Sequence, residues 1–237
     1  MNLLLLIIIF LWIKVERPPI KTLGETRLWY AFFLSSIGLI LDKSLSMRWC
    51  SNYSICMSII FLFIDFIKPY TFDKELAPAL QSIWFIPHVI VYILSYALLA
   101  ATSLFAFRAL FLFYFKNNNI IAKSDDQNTI LNNLINEARP ILSLGLALLT
   151  LGLIFGAIWA KTAWGHYWTW DPEETWALLT WLTYVIYYHL DFSSPTTSTS
   201  NKVKTFYLAF NFVILLICWF DVNYLPTAQF SVHTYSN

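Results

Sequence analysis

Long apolar runs broken by short polar connections recur along the whole chain. Read as helices, they give spans near 28–42, 52–67, 88–113, 140–160, 174–190 and 205–222, with a shorter run at 2–13. None shows the alternation of a half-buried strand, and a bilayer leaves no partner for open backbone groups. The pattern therefore predicts an all-α fold, a polytopic transmembrane helix bundle of about 6–7 spans. Several runs fall short of the roughly 20 residues that a hydrocarbon core of about 30 Å asks for. Their ends must extend, or the bilayer must thin around them. The stretches 116–139 and 191–204 read as loops, and no internal repeat or soluble domain is visible. The opening run lacks a basic flank and a small-residue cleavage site, so it reads as a ragged first span or an interfacial segment rather than a signal peptide.

Composition agrees with that pattern. Of 237 residues, 58% are hydrophobic and 12% charged, where a soluble domain carries about 25% charged residues. Mean hydropathy is +0.60. A net charge of +1 excludes a nucleic-acid surface. Cys50, Cys56 and Cys218 form no CxxC pair and read as small buried apolar residues.

Lysine and arginine set the expected orientation. Lys43, Arg48, Arg108, Lys116, Lys123, Arg139, Lys202 and Lys204 alternate along the chain with loops carrying only Lys68, Lys74 and Lys161. The loop 161–173 is thus expected on the outer, translocated side. Residues 14–27 run against the rule, with Lys14, Arg17, Lys21 and Arg27 on that same side.

The loop at 161–173 is where chemistry concentrates. Six of the eleven tryptophans lie in WAKTAWGHYWTWDPEETWALLTW, residues 159–181. An interfacial aromatic belt needs one or two such residues per helix end. This density suggests a flat platform for a large planar ligand. Asp171-Pro172-Glu173-Glu174 is also a good helix start: an N-cap, a proline at the first helical position, and acids at the positive end of the dipole.

The four histidines supply the second signal. His88, His166 and His233 fall on one side of the membrane in this topology, and imidazoles from separate elements can clamp one haem iron axially. The residues alone leave open which two of the three would pair. His189 lies sixteen residues after Glu173, about 24 Å along a helix. It belongs to a different depth, where ionisable side chains are usually functional.

WGHYWTWDPEETWALLTW, with YYHL a dozen residues on, resembles the Trp-rich motif of haem-handling cytochrome c maturation proteins, and is most similar to the CcsA (ResC) type. The resemblance extends to WFIPHVIVYILSYALLA, GAIWAKTAWG and the terminal VHTY, and divides the chain into N-terminal spans (1–80) and a haem-handling region (81–237). It implies haem b as the ligand, with His88 and His233 as axial ligands. His189 would be a transmembrane relay shared with a CcsB/ResB-like partner, and Trp164, Gly165, Trp168, Trp170 and Asp171 the haem cradle. It also implies presentation of haem to the CxxCH thiols of an apocytochrome c, in a bacterial inner membrane or an organellar, thylakoid-type one. The chain would be the haem-presenting subunit of a cytochrome c synthase. His166 occupies a variable position of the motif. Val232 stands where the family commonly has glycine. A haem exporter without attachment activity and a haem-free assembly subunit are the competing readings. A quinol-linked cytochrome would want histidine pairs on facing helices.

Overall fold

The computed structural model describes residues 2–72, 82–115, 124–193 and 198–221, all of them helix or short connection. Seven α-helices follow in order: α1 (Asn2–Val15), α2 (Leu23–Leu45), α3 (Arg48–Ile67), α4 (Phe85–Phe115), α5 (Ser124–Trp164), α6 (Pro172–Ser193) and α7 (Ser198–Leu216). A 3-10 turn (Pro69–Phe72) follows α3, and a π-helical turn (Ile217–Asp221) extends α7. By length and composition five of these can cross a membrane: α2, α3, 85–112 of α4, 129–164 of α5, and α7 with the start of its π turn. At 22 residues, α6 is about 33 Å long and joins the C-terminal end of α5 back to α7, although its acids, histidine and tyrosines lower its hydropathy. With 14 residues, α1 reaches only about 21 Å, short of the hydrocarbon core.

Several boundaries differ from the apolar runs, each for a local reason. Helix α2 begins five residues before the run because KTLGE closes a capping box: the Glu25 amide donates to Thr22 Oγ1 (3.2 Å), and the Thr22 amide donates to Glu25 Oε2 (3.0 Å). Residues 124–139, expected as loop, form the first turns of α5. Leu131, Leu134, Ile135 and Ala138 recur at helical spacing and are all buried. The 191–204 loop shrinks to the few residues between α6 and α7 for a similar reason. Asn201, Lys204, Thr205 and Leu208 make a buried stripe, and Asp191 is held by Arg139 (2.7 Å) and Lys204 (3.3 Å).

The bundle centres on α4. In lipid, helices gain little from burying apolar surface against one another, so small residues that admit close approach carry the packing. Ala97, Ala100, Ala101, Ala106 and Ala109 of α4 are all buried. A Cβ on Gly145 of α5 would lie 2.9 Å from Leu99 of α4, and Ser95 donates to the Gly145 carbonyl at 2.8 Å. Helix α2 meets α3 the same way, with Gly38 against Ser54 and Ser58 donating to the Ala31 carbonyl. Large side chains such as Ile59, Phe63, Phe66, Phe111, Ile186 and Phe210 point outward, as lipid permits.

Both ends of the bundle are basic. At the first, which carries Lys14, Arg17, Lys21, Arg27, Lys68 and Lys161, the N-terminal ends of α2, α4 and α6 meet the C-terminal ends of α3, α5 and α7. The other end carries Lys43, Arg48, Arg108, Arg139, Lys202 and Lys204. The basic 14–27 segment sits at the first end, where Ile20 packs with Phe85 and Trp159. Two of its cations are engaged there: Arg17 pairs with Glu25 (3.0 Å), and Arg27 is buried against Asp65 (2.6 Å) and Thr71 (2.7 Å).

Candidate haem-handling site

Helix α4 begins at Phe85, and its first turn carries His88 inward. The ring is fixed by α5. His88 Nδ1 lies 2.8 Å from the Gly152 carbonyl oxygen. A carbonyl only accepts, so Nδ1 carries the proton and donates; in the neutral ring, Nε2 is then the basic nitrogen. Trp159 stacks near the ring at 5.6 Å and 28°, and Tyr92 flanks it at 5.1 Å. The absent side chain of Gly156 makes room, since a Cβ there would sit 2.9 Å from His88 Cε1.

His88 lines a cavity of about 240 Å³ at this end of the bundle, together with Trp159, Trp168, Trp219, Tyr92, Tyr96, Glu173 and Cys218. The π turn after α7 carries Cys218 and Trp219 into this wall; such insertions are frequent at functional sites. Trp219 is edge-on to Tyr30 (4.4 Å) and stacked on Phe61 (5.8 Å). Tyr96 donates to Cys218 Sγ at 3.2 Å. Glu173, in the first turn of α6 and just outside its apolar stretch, has its carboxyl pushed up to about 8, by burial first and the neighbouring Asp171 charge second.

The Trp-rich loop is a stapled structure. Gly165 ends α5 at φ +83°, a left-handed position that favours glycine, and its amide donates to the Lys161 carbonyl at 3.1 Å. Asp171 is buried and caps α6, its Oδ1 accepting from the Glu173 amide at 3.0 Å. Glu174 Oε2 reaches back to the amides of Thr169 (2.7 Å) and Asp171 (3.3 Å). Between these anchors Trp170 sits at φ +60°, a conformation that costs a non-glycine residue about 1–3 kcal/mol. Its indole is 69% exposed.

The tryptophans therefore divide by position. Trp164 packs against Trp159 at 5.3 Å. Trp168 lines the cavity, and its buried indole N–H has no acceptor among the described residues. Trp170 stands edge-on to Trp168, at 83° and 6.0 Å. These two indoles make two walls rather than a flat platform. His166 is exposed and lies outside the cavity lining. His189 is exposed near the far end of α6, its Nδ1 2.8 Å from the Val185 carbonyl. His233 lies outside the described residues. No group of three or more metal-binding side chains occurs among the described residues.

Sequence reasoning passed over the wall opposite His88. Gly152 and Gly156 form a G-x-x-x-G pair, GLIFG, that is legible as a close-approach signal. From the sequence Cys218 reads as a small apolar residue, and nothing in its spacing points to the cavity.

The fold and this recess define a polytopic helical membrane protein with an imidazole set in an aromatic cavity. The chain belongs to the cytochrome c assembly protein family, whose profile matches residues 21–228. It is 35% identical over 231 residues to the "Cytochrome c biogenesis protein CcsA" of Chlamydomonas reinhardtii, covering 93% of this chain and 62% of that relative. The proteins of the same name from Cuscuta reflexa and Mesostigma viride are 31% and 30% identical, over 90% of this chain and 75% and 77% of theirs. The chain thus spans 62–77% of the length of these relatives. Its role is in cytochrome c biogenesis.

Proposed function

We propose that this chain binds haem b at the His88 end of the bundle and presents it to an apocytochrome c, as the haem-presenting subunit of a cytochrome c synthase. The observation that carries the reading is the seat of His88. An imidazole that donates its Nδ1–H to a backbone carbonyl, with Nε2 as the basic nitrogen, in an aromatic recess, is the usual dress of a metal-ligating histidine. His233 is the second axial ligand. Trp164, Gly165, Trp168, Trp170 and Asp171 form and hold the cradle: Gly165 and Asp171 by ending one helix and starting the next, the indoles by apolar contact. The cavity is slightly below the roughly 300–1,000 Å³ of ordinary ligand sites. It suits one edge of a macrocycle whose remainder lies outward, where a second protein can reach it.

Attachment is an addition. Each CxxCH thiol adds across a haem vinyl group, its sulfur bonding one carbon and its hydrogen ending on the other. The thiols come from the apocytochrome, so this chain acts by holding and orienting, which itself lowers a barrier. His189, exposed at the opposite end, relays haem from that side with a CcsB/ResB-like partner. Beyond α2, the connections carry their lysines and arginines mainly at the other end, which supports the His88 end as the translocated one.

The test is covalent haem staining of c-type cytochromes in cells carrying His88→Ala or His233→Ala. We expect loss of stained cytochrome with the membrane level of the variant unchanged. Normal staining in either variant overturns the ligand assignment.

A further inference from the structure

We infer that the Gly152–Gly156 notch of α5 is the positioning element that aims the His88 imidazole, a role resting on the haem-presenting reading above. Two features of the notch act on the ring together. The Gly152 carbonyl has two lone pairs; the helix ladder uses one, and His88 Nδ1–H uses the other at 2.8 Å. That approach requires bare backbone on both neighbouring turns. A Cβ on Gly152 would meet Tyr92 Cδ2 at 2.5 Å, and one on Gly156 would meet His88 Cε1 at 2.9 Å and Nδ1 at 3.0 Å. Trp159 stacks close by at 5.6 Å and 28°. The ring is thus held by a hydrogen bond and packed against α5.

General packing of α4 on α5 does not account for the arrangement. Gly145 serves the same interface against Leu98 and Leu99, two turns of α5 away from the notch and clear of the imidazole. What Gly152 and Gly156 add is specific to His88 and Tyr92. Donation from Nδ1 to a carbonyl fixes the tautomer and raises the basicity of the ligating nitrogen, and losing such a contact typically weakens metal affinity about 10–100-fold. A more basic imidazole favours ferric iron, so loosening the seat raises the haem midpoint potential.

The experiment uses the full-length protein purified from membranes with its haem, comparing Gly156→Ala, Gly145→Ala and His88→Gly. Readouts are haem retained per protein, the six-coordinate low-spin Soret and α bands, the midpoint potential, and recovery of the spectrum on adding imidazole. For Gly156→Ala we expect about 10–100-fold weaker haem retention, loss of low-spin character, a raised potential, and recovery with imidazole. Gly145→Ala keeps the unaltered spectrum and potential. A His88→Gly/Gly156→Ala double variant, with no ring left to clash, recovers with imidazole as fully as His88→Gly alone, which separates a misplaced ligand from a misfolded bundle. An unaltered spectrum in Gly156→Ala, an equal loss in Gly145→Ala, or a double variant that imidazole does not restore each overturns the positioning role. If His88→Gly itself keeps the full spectrum, the ligand reading has failed, and the notch assignment falls with it.

Discussion

Glu174→Ala probes how the Trp-rich loop keeps its shape. Glu174 Oε2 accepts from the Thr169 amide at 2.7 Å, the Asp171 amide at 3.3 Å and the Thr169 hydroxyl at 3.3 Å. Hydrogen bonds to a charged group contribute about 1.5–3 kcal/mol when shielded. At an exposed helix start, the roughly 1 kcal/mol of a cap is the better guide. Against this stands Trp170 at φ +60°, costing about 1–3 kcal/mol. The two effects are of the same size, so the staple offsets much of the strain, beside the Asp171 cap and the Lys161 hydrogen bond to the Gly165 carbonyl. Losing one or two kcal/mol raises the open population about 5–30-fold. Hydrogen exchange of the amides in 165–171, read by mass spectrometry, should quicken by that factor in Glu174→Ala. Glu174→Gln, which keeps an acceptor, should fall between. Adding Trp170→Gly to Glu174→Ala should slow exchange again by removing the strain. Unchanged exchange over 165–171 in Glu174→Ala refutes the argument. So does a rise equally large along the membrane part of α6.

Two further outcomes concern groups around the site. Asp65→Ala leaves Arg27 buried with only Thr71 among the described residues and should destabilise by about 3–5 kcal/mol, as breaking one partner of a buried pair does. Asp65→Asn keeps an acceptor and should lose less, and equal thermal midpoints for unaltered and Asp65→Ala protein would refute the pairing. Burial raises the Glu173 carboxyl from 4.5 to about 8, so the folded state binds the extra proton across that window. Stability should fall as pH rises from 4.5 to 8 and level off above it. Glu173→Gln removes that slope, so parallel unfolding curves for the two proteins across that pH range would contradict the burial.

Much of the architecture was legible because lipid makes the helix rule simple. Continuous apolar runs located α2 to α7, and the acidic start of α6 worked as its cap, with Asp171 and Glu174 both engaged. The boundaries were less legible where helices run past the apolar zone. Residues 124–139 are polar in composition, and only the buried stripe Leu131, Leu134, Ile135, Ala138 marks them as helix. The capping box at Thr22 and Glu25 was equally readable and shows why α2 starts early. At the site, the Trp loop and His88 stood out by residue type. The notch did not, since glycines in a membrane helix serve packing everywhere and only the approach of His88 distinguishes this pair. The mutual angle of Trp168 and Trp170 was also beyond reach. It follows from one left-handed residue between two caps, a geometry that composition does not encode.

The central claim is axial ligation of one haem iron by His88 and His233. Electron paramagnetic resonance of the purified ferric protein tests it most directly. Two imidazoles on one iron give a low-spin signal, which each of His88→Ala and His233→Ala should convert to a high-spin signal, with added imidazole restoring the original. A low-spin signal that survives in either single variant, or a high-spin signal in the unaltered protein, would contradict it.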